Sequence, residues 1–382
     1  LLLVMFFCGY CINGVAQEEV KYPKLNYRGY TKSMVIFVNP DNLDFLQTIH
    51  LFHNRSELEA RFSNSISLQI HNRNLMYTGN FLLQPDFGKQ LEAAATDYAD
   101  LTLRPIDRGG VKMTNSLDRA FLEGIHGNLE WRIGRQRINW GLHSIWNPND
   151  IFNAYSFVDF DYEERPGADA VLIRYYTGLS SCLQLAYSPD DQWERSTVGI
   201  LYQFNAATYD LQLLTAYDRE YWVSGFAAAG NLGDQAVKVE SSLFFPEFDG
   251  KTEFSLAASY EGSLQNTGVF YTISYLYDGK NTESGSFQEL LQNANQLTAR
   301  ELYPFEHNIM IQALKQFNAR FTANVSAVFS RDKARSIYLA PFVSYSLAQN
   351  WDLDVFGQVF FEKQDFYRSP NQIVSLRLKW SY

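Results

Sequence analysis

Along most of this chain apolar and polar residues alternate one for one. In the last stretch Val374, Leu376, Leu378, Trp380 and Tyr382 alternate with Ser375, Arg377, Lys379 and Ser381. Further back Phe321, Ala323, Val325, Ala327 and Phe329 alternate with Thr322, Asn324, Ser326 and Ser330. Side chains of a strand project to opposite faces with period two, so each stretch has one greasy face and one wet face. The pattern predicts strands at 28–38, 48–61, 65–83, 116–126, 129–137, 169–176, 182–188, 198–204, 208–218, 221–230, 235–245, 253–261, 268–278, 307–315, 320–330, 336–346, 351–362 and 372–382.

Many of these segments run to ten residues or more. A tilted strand of about 10 residues crosses the hydrocarbon of a bilayer. A soluble sandwich also alternates, but its strands are typically about 5–6 residues long. The connections point the same way. Those at 63–64, 127–128, 178–181, 206–207, 231–234, 318–319 and 348–350 are short, with 262–267 looser. The interleaved ones at 84–115, 139–168, 189–196, 246–251, 281–306 and 364–371 are mostly longer. Short turns on one side and long loops on the other are the asymmetry of outer-membrane barrels. The fold class expected is therefore all-β, a transmembrane antiparallel up-and-down β-barrel of about 18 strands (roughly 16–18). Counting the weak segment 28–38 makes the total even and leaves both termini on the short-turn, periplasmic side, as bacterial single-chain barrels require. Helix-like patches at Leu91–Asp100 and Phe287–Tyr303 interrupt two of the long connections.

Aromatic residues make up 16% of the chain and charged residues only 19%. Mean hydropathy is −0.25, which suits a soluble β-protein as well as a barrel with one wet face. The first residues are more decisive. Leu1–Ala16 is an apolar run closing on Gly14, Val15 and Ala16, followed by the polar Gln17, Glu18 and Glu19. It resembles a secretory signal peptide, so residues 1–16 are expected to be removed and 17–382 to form a single barrel domain. A membrane helix is the rival reading, but the run is short against the ~20 residues a span needs. Cys11 as a lipid acceptor is disfavoured by the bulky Tyr10 before it. Losing Cys8 and Cys11 leaves Cys182 alone, so neither a disulfide nor a cysteine metal cluster can form, and no cofactor is expected.

One stretch breaks the rhythm. Leu129–Asp169 opens as an alternating strand, leaves it near Asn139, crosses an aromatic and charged segment, and rejoins a strand at Asp169. Residues 139–168 read as a long insertion tied into the barrel. Arg135 and Arg137 fall on the apolar phase of their strand, which is costly in lipid. Either Gly134 marks a bulge that swaps the faces, or both arginines lie beyond the bilayer at the rim. The insertion adds Asp150, Asp159, Asp161, Glu163, Glu164 and Arg165. Together with Arg119, Glu123 and Arg132 on the neighbouring strands, these are the candidate lumen and constriction residues. Rings of fixed charge sort ions in a wet pore, while the same pairs could simply pin the loop down. His53, Arg55, Glu57, Glu59 and Arg61 share one strand face and read as lumen lining. A net charge of −10 weakly favours cations in such a pore.

Catalysis finds little support. His143 and Ser144 are adjacent, so on a strand they would point to opposite faces. Neither a Gly-x-Ser-x-Gly elbow nor a His-Glu-x-x-His motif occurs. No basic patch supports nucleic-acid binding.

The segments GRQRINWG, WNPNDIFN and DFDYEERPGADA resemble a family of outer-membrane, porin-like β-barrel proteins of Bacteroidetes-type bacteria. The resemblance covers Leu117–Tyr176 and, more loosely, the final strands ending in Trp380, Ser381 and Tyr382. A more distant similarity is to alginate-export and porin-type barrels of eighteen strands, although the basic lumen suited to polyuronates is not evident. The resemblance implies a place in the Gram-negative outer membrane, with lipid and lipopolysaccharide around the wall. It also implies recognition of the terminal Tyr382 by the barrel-assembly machinery. The function expected is passive diffusion of small hydrophilic solutes, with the insertion as constriction or gate. The rival is a non-conducting barrel that serves as a binding or scaffold component of an uptake or secretion complex.

Overall fold

The computed structural model describes residues 22–40, 46–83, 98–154, 167–279, 298–331, 335–363, 367–369 and 371–382. Eighteen long strands form the wall. In chain order they are β1 (Lys24–Pro40), β2 (Gln47–Arg61), β3 (Ile66–Thr78), β4 (Val111–His126), β5 (Leu129–Gln136) and β6 (Ala168–Tyr176). There follow β7 (Cys182–Ser188), β8 (Thr197–Ala206), β9 (Tyr209–Asp218), β10 (Tyr221–Leu232), β11 (Gln235–Pro246) and β12 (Glu253–Leu264). The wall ends with β13 (Val269–Asp278), β14 (His307–Asn318), β15 (Phe321–Arg331), β16 (Arg335–Ala348), β17 (Trp351–Lys363) and β18 (Asn371–Ser381). Each pairs antiparallel with its neighbours, and β1 pairs with β18 from Tyr30 opposite Ser381 to Pro40 opposite Asn371. Closure leaves no free wall edge, the condition for backbone groups to stand in hydrocarbon.

Alternation sets the two faces as expected. Outward rows such as Ile133, Ile173, Leu185, Ile200, Leu213, Ile273, Ile309, Val325, Val355 and Leu376 are exposed hydrophobics. Aromatic residues gather toward both ends of the wall. At the short-turn end Trp351 stacks on Trp380 at 6.0 Å and Tyr27 on Tyr382 at 5.8 Å. At the loop end Trp193 stacks on Tyr217, which meets Trp222 edge-on. An apolar band between aromatic girdles is what a bilayer demands of a barrel.

The differences from the alternation pattern are local. The strand expected to reach Leu83 ends at Thr78, where Gly79 takes φ +134° and Asn80 accepts the backbone N–H of Thr48 at 2.7 Å; a short 3-10 turn, Asn80–Leu83, follows. The Gly109–Gly110 break is a hairpin turn: it joins a short inset strand, Thr102–Arg108, to β4, which begins five residues before the expected Ser116. The loop between β9 and β10 is only Arg219 and Glu220, both at positive φ, so not every loop on that side is long. Of the helix-like patches, the described parts, 98–100 and 298–303, are turn or bend rather than helix; the remainder lies outside the described residues. Residues 1–16 lie outside them too.

Candidate functional site: the insertion against the inner wall

Leaving the wall at Gln136 requires a twist, and Gly134 supplies it. Its φ is +119°, and a Cβ there would fall 2.2 Å from the Ala120 carbonyl. The register runs unbroken through Gly134 on both sides, so there is no bulge. Arg135 instead binds both oxygens of Asp169, at 2.9 and 2.8 Å, and the carbonyls of Leu117 and Ala99. Asp169 in turn accepts the backbone N–H of Ala99 at 2.9 Å. The pair therefore stitches β4, β5 and β6 to the segment that leads into the inset strand. Arg135, the last but one residue of β5, is buried by this stitch, and the bulge alternative is excluded. Arg137 donates to Asn139 at 3.0 Å.

Beyond Gln136 the chain runs along the inner wall. Trp140 is fully buried and donates its indole N–H to Gln184 of β7 at 3.1 Å. Space for its ring comes from small inward residues: a Cβ on Gly199 would lie 2.8 Å from the indole, beside Ala216. Ile138, Trp140 and Ile151 form one apolar cluster with Ala170, Leu172, Ala186, Leu201, Leu214, Val223 and Phe244. Ile145 and Trp146 form a second with Ala257, Leu276, Met310, Val328, Tyr338 and Phe360. The second inward loop supplies Ala299 to the first cluster, and Leu302, Tyr303 and Phe305 to the second. Burial of this size contributes on the order of 25 cal/mol per Å² of apolar surface.

Between the clusters stands Glu240 of β11, fully buried. Its carboxylate accepts the backbone N–H groups of Leu142 (2.7 Å), His143 (2.8 Å) and Asn149 (2.7 Å). Asn149 also accepts from Ser242 at 2.6 Å, and its amide occupies the room that Gly225 leaves: a Cβ there would be 2.4 Å away. Ser144 donates to Glu261 at 2.7 Å and accepts from Lys238 at 2.6 Å. His143 Nδ1 accepts the N–H groups of Ile145 and Trp146 at 3.1 and 3.2 Å, which requires that nitrogen to be unprotonated. Burial pushes the His143 pKa from 6.5 to about 4, partly opposed by the Ala258 carbonyl and Glu261.

The inner face of β1–β6 and β18 is different. Arg55, 1% exposed, reaches Asp118 at 2.6 Å and Glu57 at 2.9 Å. Arg132 binds Glu123 (2.6 Å) and Glu130 (3.0 Å), Arg174 binds Glu130 (2.7 Å), and Arg377 binds Asp354 (2.8 Å). Arg119 donates to the Asp118 carbonyl at 2.7 Å. The expected ladder is present: His53, Arg55 and Glu57 point inward, while His50 is exposed on the other face.

Of the sequence candidates, Arg119, Glu123 and Arg132 line the inner wall, Arg135 belongs to the seam, and Asp150 is buried under Trp140, whose N–H lies 3.4 Å from its carboxylate. Asp159, Asp161, Glu163, Glu164 and Arg165 lie outside the described residues. Charge density in the insertion drew attention to it, but among the described residues it docks through backbone N–H groups and apolar clusters. Glu240, Gln184 and Ser242 were missed because each is one more inward polar residue on an alternating strand. The signal that could have found their surroundings is the run of inward small residues, Ala170, Ala186, Gly199, Ala216 and Gly225.

No protein-family profile matches the sequence, and no curated protein does. Solved structures do. OccK11 (OpdR) of Pseudomonas aeruginosa superposes with a TM-score of 0.57 at 7% identity, over 94% of this chain and 95% of that one. OccAB1 of Acinetobacter baumannii gives 0.55 at 7%, over 94% and 96%. The outer membrane protein opdK of Pseudomonas aeruginosa gives 0.53 at 11%, over 94% and 99%. What is shared is the fold. The fold thus has counterparts along nearly the whole chain, at identities too low to carry any residue's role across.

Proposed function

We propose that this chain is an outer-membrane channel for passive diffusion of small hydrophilic solutes, narrowed by the insertion 139–168. The fold shared with an outer membrane protein and the apolar band between aromatic girdles support the location. One observation carries the channel reading: the described part of the insertion lies against the inner wall, held by Glu240, where it takes cross-section from a polar-lined lumen. An eighteen-stranded wall encloses a lumen wide enough for water. The rival scaffold reading draws on the same loops, because two apolar clusters reaching from β6 to β17 would also suit a filled barrel.

Planar-bilayer recording separates them. Deleting Leu142–Asn149, the segment seated on Glu240, is expected to raise single-channel current severalfold relative to the parent. An unchanged current removes the constriction. No current from either protein at any voltage removes the channel and leaves the scaffold. Liposome swelling with sugars, amino acids and uronates then identifies the solute class.

A further inference from the structure

The membrane-facing side of β1–β4 carries a row of polar side chains linked across four strands. By register Thr31, Asn54, Asn74 and Asn115 stand side by side on four adjacent strands. Trp380, outward on β18, is the neighbour of Thr31 on one side, and Leu103, 69% exposed, is the neighbour of Asn115 on the other. The row therefore faces away from the lumen. Ser56 and Asn72 pair one step below. Side chains link along the row: Asn54 donates to Thr31 (3.1 Å) and to the Tyr382 hydroxyl (3.1 Å), and Asn74 donates to Asn54 (3.3 Å). Asn115 donates to Asn72 at 3.0 Å and also to Asn74.

At β1 the ladder meets the short-turn aromatic girdle through Trp380 and Tyr382, and from there it runs into the wall between apolar rows. The row above it holds Ser33, Phe52, Met76 and Met113, and the rows below hold Leu58, Ile70 and Leu122. Phe52, Met76, Leu58 and Leu122 are all exposed, at 36–44%. Four carboxamides thus stand among apolar residues on the outer face, beginning at the short-turn girdle. On β5–β8 and β15–β17 the outward positions through the band are aliphatic, aromatic, glycine or proline; β14 adds Lys315 beside Phe317, and on β9–β11 the polar ones are hydroxyls, Thr215 paired with Ser224, and Ser241 opposite Phe226. Amides are expensive against acyl chains unless their hydrogen bonds are met by protein.

We propose that this face is where a second copy of the chain packs, in the same orientation, about a two-fold axis along the membrane normal. The inference rests on the barrel standing in a membrane, and not on its conducting. Internal bonds do not exhaust the ladder. Among the described residues Asn72 Nδ2 has no acceptor and Asn115 Oδ1 has no donor, and the two groups lie on adjacent strands. A two-fold contact is isologous, so each copy presents the donor that the other's acceptor lacks. A carboxamide is its own complement whichever way its oxygen and nitrogen are assigned. The row carries no charge that would call for an oppositely charged partner of a different kind. Apolar rows above and below supply the packing area around it.

The experiment is cross-linking in native outer membranes. In a Cys182→Ala background, Asn74→Cys treated with a short bismaleimide is expected to give at least about tenfold more dimer than Ile273→Cys on the far wall, a ratio equivalent to about 1.4 kcal/mol of preference. Equal, low yields overturn the proposal. So does capture of a different polypeptide by Asn74→Cys. The mass of the unmodified protein in lipid nanodiscs gives a second readout. A dimer that falls at least about tenfold in population on joint Asn72→Leu, Asn74→Leu and Asn115→Leu substitution, with the barrel still folded by heat-modifiable gel mobility, supports it. A monomer in nanodiscs overturns it. Recovery in the soluble fraction would instead sink the membrane reading, and absent conductance would sink only the channel.

Discussion

Two stretches of the inner wall are built by one rule. On β1–β5 and β18 the inward row is charged: Arg132 and Arg377 close on carboxylates of neighbouring strands, and Arg55 reaches past β3 to Asp118 of β4. On β6–β10 small inward residues recur, Ala170, Ala186, Gly199, Ala216 and Gly225, and there the insertion docks. Period two decides only that a residue points inward. Its volume and charge then decide whether a loop can lie on it. Charged rows hold themselves together across strands, whereas small rows leave cavities that a Trp or an Asn must fill, since interiors pack densely.

The sharpest way to break this contrast is Glu240→Ala. It strands three backbone donors at ~1–3 kcal/mol each. Hydrogen exchange at the Leu142, His143 and Asn149 amides should accelerate, and the β1–β5 pairs should be untouched. Arg55→Met is the converse. Removing one partner of a buried pair costs roughly 3–5 kcal/mol, so thermal stability of the barrel should drop while the protection of Trp146 stays as it was. If Trp146 loosens equally, the two stretches are not independent. Gly199→Val overpacks the Trp140 slot at about 1–3 kcal/mol. Indole fluorescence should report the displaced ring, and single-channel current should rise toward that of the Leu142–Asn149 deletion.

The smallest effect is a pH dependence. His143 keeps its docked pKa near 4 against 6.5 in the free state. Between those values a detached loop takes up a proton that the docked loop refuses. The His143 contribution to docking is therefore fully present above 6.5, weakens as pH falls through the window, and changes no further below about 4. Exchange at Ile145 and Trp146 should follow that course and flatten in His143→Gln, whose amide oxygen can still accept.

Much of the wall was legible from alternation: the strand starting at Leu129, the hairpin across Gly127 and Asn128, and the closing segment ending at Tyr382 all stand where the pattern put them. Even the membrane-facing ladder left a mark, because His53, Asn54, Arg55 and Ser56 are polar on both phases, as are His71, Asn72, Arg73 and Asn74. Attention to the charged phase hid the other one. The site was less legible. Arg135 looked misplaced, because the sequence does not reveal that Asp169, thirty-four residues on, and the Ala99 backbone arrive beside it.

By itself, then, the sequence determined the strand count, the two faces and the place where the chain leaves the wall, since side-chain direction is local. Only the tertiary structure decided that Glu240 would catch three amide groups and that Gly199 would admit Trp140. It also decided that Thr31, Asn54, Asn74 and Asn115, from four strands, would meet in one row. These depend on register and closure, which bring distant residues together and which no local period encodes.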